Sequence, residues 1–106
     1  MARYMITRHQ AAAEWAMKQG FGSVEIVTHA DAAFWAGLEA GDVVIGTLPI
    51  HLAAKACAKT GKAFGFLSLN VPPELRGQEL TLDQMESCNA SIEWFEITPV
   101  AGPEGA

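Results

Sequence analysis

Thr7, Arg8 and His9 come directly after the apolar run Tyr4-Met5-Ile6, and Gly46-Thr47 come directly after Val43-Val44-Ile45. An arginine can hold a phosphate with two hydrogen bonds, and a threonine hydroxyl supplies another donor. Histidine titrates near neutrality, so His9 stands as a candidate general base or acid. Arg8, His9 and Thr47 are therefore the candidate catalytic residues. Thr7, Gly46, Leu48, Pro49, Ser68, Asn70 and Arg76 are the candidate binding residues around them. This set fits a phosphate better than a metal, because the acids are scattered and His9, His29 and His51 do not fall at ligand spacing. The chain has neither a GxxxxGK[ST] loop nor a GxGxxG fingerprint, so no nucleoside triphosphate or dinucleotide cofactor is expected. Each residue taken singly also has a plain structural role. His9 could cap or open a helix, His51 could be a solvated helix residue, and Arg76 could anchor its loop by pairing with Glu74 or Glu79. His29 reads as surface.

These residues can act together only if alternating strands and helices bring them to one edge. Tyr4–Ile6 reads as a first strand, Gln10–Gln19 as a helix closed by Gly20, and Ser23–Thr28 as a second strand. Trp15 shares a helical face with Ala12, Ala16 and Gln19 and belongs to the core. In the second strand, Val24 and Ile26 share one face and Glu25 and Val27 the other. Asp31 can cap a short helix carrying Phe34, Trp35 and Leu38. Val43–Ile45 is an unbroken β-branched run, as expected of a strand covered on both faces. Gly46 permits a sharp turn or a close approach. Thr47 can cap the next helix, Pro49 suits its first turn, and the helix runs to Lys59 with Gly61 ending it. Such a junction leaves free N–H groups that favour an anion.

Lys62–Leu69 reads as a fourth strand, with Gly65 a point of close backbone approach. Asn70–Glu79 is a loop, since paired prolines and Gly77 exclude regular structure. Thr81 and Gln84 form a capping-box pattern for a helix to about Asn89. Residues 90–97 fit either a helical stripe or a fifth strand; Asn89 as a helix stop and the β formers that follow favour a strand at Ser91–Thr98. Residues 99–106 form a tail with too little apolar content to fold. The alternation implies a three-layer α/β domain over residues 1–98, with a mostly parallel sheet of about five strands, helices on both faces and right-handed crossovers. Ligands in such sheets bind beyond the carboxyl ends of the strands, where strand order reverses. Arg8, Thr47, Ser68 and Asn70 stand at such ends, and Arg76 lies just beyond.

The chain has 106 residues, enough for one domain and too few for two. Seven Lys and Arg against twelve Asp and Glu give a net charge of −5, which disfavours binding to long nucleic acid. A small anion in a local cleft is still allowed. No apolar run reaches membrane-spanning length, and no basic region precedes a long apolar one at the N-terminus, so a cytoplasmic protein without a membrane partner is expected. Cys57 and Cys88 lie far apart without a CxxC pair and read as core residues.

Ile6-Thr7-Arg8-His9, Glu14-Trp15, Gly41-Asp42-Val43-Val44-Ile45-Gly46-Thr47-Leu48-Pro49, Leu67-Ser68-Leu69 and Pro73-Glu74-Leu75-Arg76-Gly77-Gln78-Glu79-Leu80-Thr81 carry a resemblance. The chain resembles a family of small CRISPR-associated accessory proteins of type III systems, in the Csx group. It departs from that family in a bulkier Ala30–Leu38 segment and in the 99–106 extension. The resemblance implies a Rossmann-like fold related to domains that sense cyclic oligoadenylates, and a ring nuclease that cuts these messengers. It implies attack by the substrate's own 2′-hydroxyl without a metal ion, leaving linear products with 2′,3′-cyclic phosphate ends. Arg8 would stabilise charge, and Thr47 with the helix N–H groups would fix the phosphate. A cyclic tetra-adenylate ring has rotational symmetry, which a two-fold homodimer would match. Two other readings compete: a binding protein that sequesters the ring uncut, and a protein-interaction subunit.

Overall fold

The structure, a computed structural model, describes residues 1–102; the last four residues of the expected tail, 103–106, lie outside the described residues. The apolar runs form strands β1 (Arg3–Ile6), β2 (Glu25–Val27), β3 (Val43–Gly46), β4 (Phe64–Ser68) and β5 (Ser91–Phe95). Between them lie helices α1 (Ala11–Lys18), α2 (Ala32–Gly37), α3 (Ile50–Thr60) and α4 (Leu82–Ser87). The sheet order is β2-β1-β3-β4-β5, with the first four strands parallel. The chain steps outward from β1 to β2 and then crosses to the other side of β1 to lay down β3. Strand order therefore reverses between β1 and β3.

Alternation along the strands divides the core into two layers. Met5, Ile45 and Leu67 pack with Ala12, Trp15 and Ala16 of α1 and Met85 of α4. Ile6, Val44 and Phe64 face the opposite way, against Trp35 and Leu38 at α2 and Ala53 and Ala56 of α3. The sheet is thus covered on both faces, the expected Rossmann-like layering. The alanines of α3 keep that helix close to the strands, where bulkier side chains would hold it off.

β5 runs antiparallel to β4, pairing Ser91 with Ser68 and Phe95 with Phe64. The length of α4 explains this. Six residues cannot span the sheet, and the carbonyl of Cys88 at its end accepts the Asn70 N–H at 2.8 Å. The chain is thereby returned to the end of β4 that it had just left, and only an antiparallel strand can follow. Asn89, at φ 56°, makes the turn that ends the helix. The Thr81–Gln84 capping box forms in both directions.

Several local expectations need correction. α3 starts at Ile50, with Pro49 in extended conformation immediately before it and no side-chain cap. Thr47 lies two residues too early to cap, because Leu48 and Pro49 extend the chain between strand and helix. The Asn70–Glu79 loop contains one 3₁₀ turn, Pro73–Leu75; proline is tolerated at its start because no N–H is needed there. Arg76 pairs with neither Glu74 nor Glu79: its Nε donates to the Val71 carbonyl at 3.3 Å. Among the described residues the only ion pair is Lys18–Glu86, between α1 and α4. Strand five ends at Phe95, three residues before the expected Thr98. Gly65 is a point of close approach, but to protein: a Cβ there would sit 3.0 Å from Ile92 and Trp94. No helix among the described residues is long and apolar enough to cross a membrane.

Asp42 fixes the register of β1 on β3 from the end remote from the strand tips. Its buried carboxylate accepts the Ala2 N–H and the Glu39 N–H, each at 2.9 Å. Those bonds hold its pKa below the ordinary carboxylate value. A depressed pKa contributes stability above the unfolded value that is lost as the pH falls. Asp42→Ala should therefore lose about 2 kcal/mol at neutral pH, and its deficit against wild type should shrink as pH falls below about 4. Urea unfolding of both proteins at the two pH values checks this; a deficit independent of pH would refute it.

Candidate functional site

Ile6 of β1 lies beside Gly46 of β3, so the two chains leave the sheet side by side. Gly46 has φ 152°, and a Cβ on it would stand 2.3 Å from the Ile6 carbonyl oxygen. Any side chain here would push β1 and β3 apart at the point where strand order reverses. Beyond this point opens a cavity of about 350 Å³ lined by Ile6, Thr7, Arg8, His9, Thr28, Thr47, Leu67 and Leu69. Its position agrees with the rule that ligands bind where strand order reverses.

The polar wall is built locally. Thr7 is buried, its N–H donates to Val27 and extends the β1–β2 ladder, and its Oγ1 accepts the His9 N–H at 3.2 Å. A threonine hydroxyl that accepts one bond still has its own hydrogen to donate. Arg8 is exposed and has no ion pair or hydrogen bond among the described residues. His9 is half-buried, and its Nδ1 accepts the Leu80 N–H at 3.1 Å. Burial and the Arg8 charge lower the His9 pKa, with Glu79 opposing them. Glu79 also accepts the Gln10 N–H at 3.3 Å, so the segment before α4 is fastened to the start of α1 at two adjacent points. Thr47 is exposed at the end of β3.

Four of the ten predicted residues, Thr7, Arg8, His9 and Thr47, line one cavity, and Gly46 sets the strand spacing beneath it. The other five do not line it. Leu48 faces a separate apolar cavity with Ile50, Ala53, Phe64, Phe66, Phe95 and Ile97, and Pro49 serves as the lead-in to α3. The start of α3 therefore lies outside the crevice wall. Ser68 pairs with Ser91 in the β4–β5 ladder, on the Phe64 side of the sheet. Asn70 is tied by its N–H to Cys88, and Arg76 is exposed on the loop beyond. Thr28, at the end of β2, joins the wall unforeseen; the strand-end rule applied to the second strand would have found it. His29 and His51 are exposed, Cys88 is buried and Cys57 half-buried. Among the described residues no three His, Cys, Asp or Glu side chains are grouped so as to hold a metal ion.

One arginine, one imidazole and three threonine hydroxyls thus face an opening whose other lining residues are Ile6, Leu67 and Leu69. Among the described residues no carboxylate lines it, although the chain as a whole is acidic. Such a lining has the chemistry to accept a small anion between apolar walls, at the edge of a mostly parallel sheet. Residues 4–98 match the family described as "Putative CRISPR-associated protein (Cas_VVA1548)", and the chain belongs to that family. No curated protein and no solved structure matches it significantly.

The tight β1–β3 approach makes Gly46 the position where a small substitution should do the most harm. Gly46→Ala should cost about 3 kcal/mol and lower Tm by roughly 15 °C. A thermal melt of the variant checks this, and an unchanged Tm would show that the two strands can separate freely.

Proposed function

We propose that the chain is a ring nuclease of type III CRISPR defence, binding a cyclic oligoadenylate, most simply the tetra-adenylate, in the cavity between β1 and β3. The observation that carries this reading is that Arg8, unpaired among the described residues, stands with three threonines in a lining where those residues place no carboxylate, on a chain of net charge −5. Membership of a CRISPR-associated family and the resemblance to the Csx group support the choice of ligand. The apolar residues Leu67 and Leu69 give a nucleoside a surface to pack on, while the polar rim takes its phosphate.

The reaction needs no nucleophile from the protein. The 2′-oxygen of one adenylate attacks the adjacent phosphorus, its proton passing to solvent. The bond from phosphorus to the 5′-oxygen breaks, and that oxygen takes a proton from solvent. The ring opens to a linear chain with a 2′,3′-cyclic phosphate at one end and a 5′-hydroxyl at the other. Arg8 neutralises charge that builds on the non-bridging oxygens, and Thr28 and Thr47 hold the phosphate in line with the attacking oxygen. Thr7, braced by the His9 N–H, contributes its own hydroxyl hydrogen.

Ligand pockets span roughly 300–1,000 Å³, and this cavity is at the lower limit, about 350 Å³. One protomer thus encloses part of a ring, and a two-fold pair of protomers would enclose the rest. The same contacts would serve a protein that stores the ring uncut.

Incubating the purified protein with cyclic tri-, tetra- and hexa-adenylate in EDTA, followed by mass spectrometry, separates these readings. Linear products with cyclic-phosphate ends are expected, and Arg8→Ala should slow their formation by about 10²-fold while weakening binding far less. Rings that bind but stay intact, with Arg8→Ala abolishing binding, would identify a storage protein. If no ring is bound or cut, with or without added divalent metal, the nucleotide reading is wrong.

A further inference from the structure

The bond between His9 and Leu80 determines more than the position of a loop. A backbone N–H can only donate, so the Nδ1 that receives it at 3.1 Å must carry a lone pair. In a neutral imidazole the single proton then resides on Nε2. Nε2 has no hydrogen-bond partner among the described residues, and His9 is one of the residues lining the cavity. We propose that His9 serves the crevice as a neutral hydrogen-bond donor through Nε2, locked in that tautomer by the Leu80 amide, and is neither the base nor the acid of ring opening. This rests on the reading of the crevice as a phosphate site.

Both alternative roles break the lock. To act as a base through its free nitrogen, His9 would have to move its proton to Nδ1, setting N–H against N–H across 3.1 Å. The imidazolium needed for acid catalysis carries a proton on both nitrogens and meets the same clash. Leu80 is buried, so its displaced amide would have little water to turn to. The charged groups facing the ring are Arg8, on its own turn, and Glu79, on the segment leading to α4. Burial and Arg8 together outweigh Glu79 and hold the ring neutral further into the acid range than usual. A neutral imidazole donating from a fixed nitrogen can stabilise negative charge as it forms on a substrate oxygen. On this account the 2′-hydroxyl proton leaves to water, and the protein contributes charge and alignment only.

Nitrogen-15 NMR of the full chain, correlating ring nitrogens with ring carbon-bound protons, reads the tautomer directly. The expected spectrum shows His9 protonated on Nε2 at neutral pH, before and after addition of cyclic tetra-adenylate. A ring protonated on Nδ1, or a mixture of the two forms, overturns the proposal.

Two variants divide the two nitrogens between them. His9→Asn places an acceptor near the position of Nδ1 and lacks the Nε2 donor; it should melt like wild type and cut about 10²-fold more slowly. His9→Gln can reach the Nε2 position with an amide N–H but lacks the Leu80 acceptor; it should melt lower and cut faster than His9→Asn. The rate for wild type should rise from about pH 6 to 9 without a falling limb, and His9→Asn should show the same shape at a lower level. A bell-shaped profile that loses one limb in His9→Asn would make His9 an acid or base and overturn the proposal. If wild type cuts and His9→Asn cuts equally fast, the donor role is overturned while the phosphate site stands. If wild type neither cuts nor binds any ring, the phosphate site fails and the ligand-donor role with it, whatever the tautomer.

Discussion

The close contact of Gly46 with the Ile6 carbonyl is the constraint on which the rest of the site depends. Hydrogen bonding sets strands a fixed distance apart, but here the neighbouring carbonyl occupies the space a side chain would need. Removing the side chain lets β1 and β3 stay in register to their last residues, so that Thr7 and Thr47 emerge side by side. Asp42 secures the same pair at its other end, bonding Ala2 and Glu39 with a carboxylate kept ionised by those bonds. The crevice opens beyond the tips of two strands that are held together at both ends.

A second layer of control comes from far along the chain. Leu80 reaches His9 across 71 residues, and Glu79 reaches Gln10 across 69. Both contacts come from the segment that leaves the carboxyl end of β4 and leads into α4. The segment between β4 and α4 therefore stays at the carboxyl end of the sheet, where it can bear on the crevice rim.

Much of this was legible in the residues. Apolar runs that stop at Thr7 and Gly46 mark strand ends, and the reversal rule then brings Arg8, His9 and Thr47 together, as the structure does. The rule failed where strand ends are already occupied. Ser68 is paired with Ser91, and Asn70 is tied to Cys88, contacts that depend on the direction of β5 and that no local pattern reveals. Thr28 already ends the second strand as the sequence reads it, and the strand-end rule extended to that strand reaches it. Thr47 was misread as a cap because the extended path of Leu48 and Pro49 depends on where α3 must land on the sheet. The two-nitrogen asymmetry of His9 was invisible for the same kind of reason: its partner is remote in sequence. Family membership extends to a CRISPR-associated protein, and the sequence motifs and the crevice chemistry together point further.

The outer strands also bear on how the chain lives in a crowded solution. A sheet with open edges offers unpaired amides to any extended segment that passes, its own copies included. At one edge β2 is three residues long, too short to template a lasting pairing. At the other, β5 presents exposed Trp94 and Phe95, a sticky combination on an open strand. Glu93 lies within that strand and Glu96 just after it, so two copies drawing edge to edge would bring like charges together. The acidity that makes a single arginine conspicuous in the crevice therefore has a second effect at the rim of the sheet: it opposes pairing along the β5 edge while leaving aromatic surface exposed there.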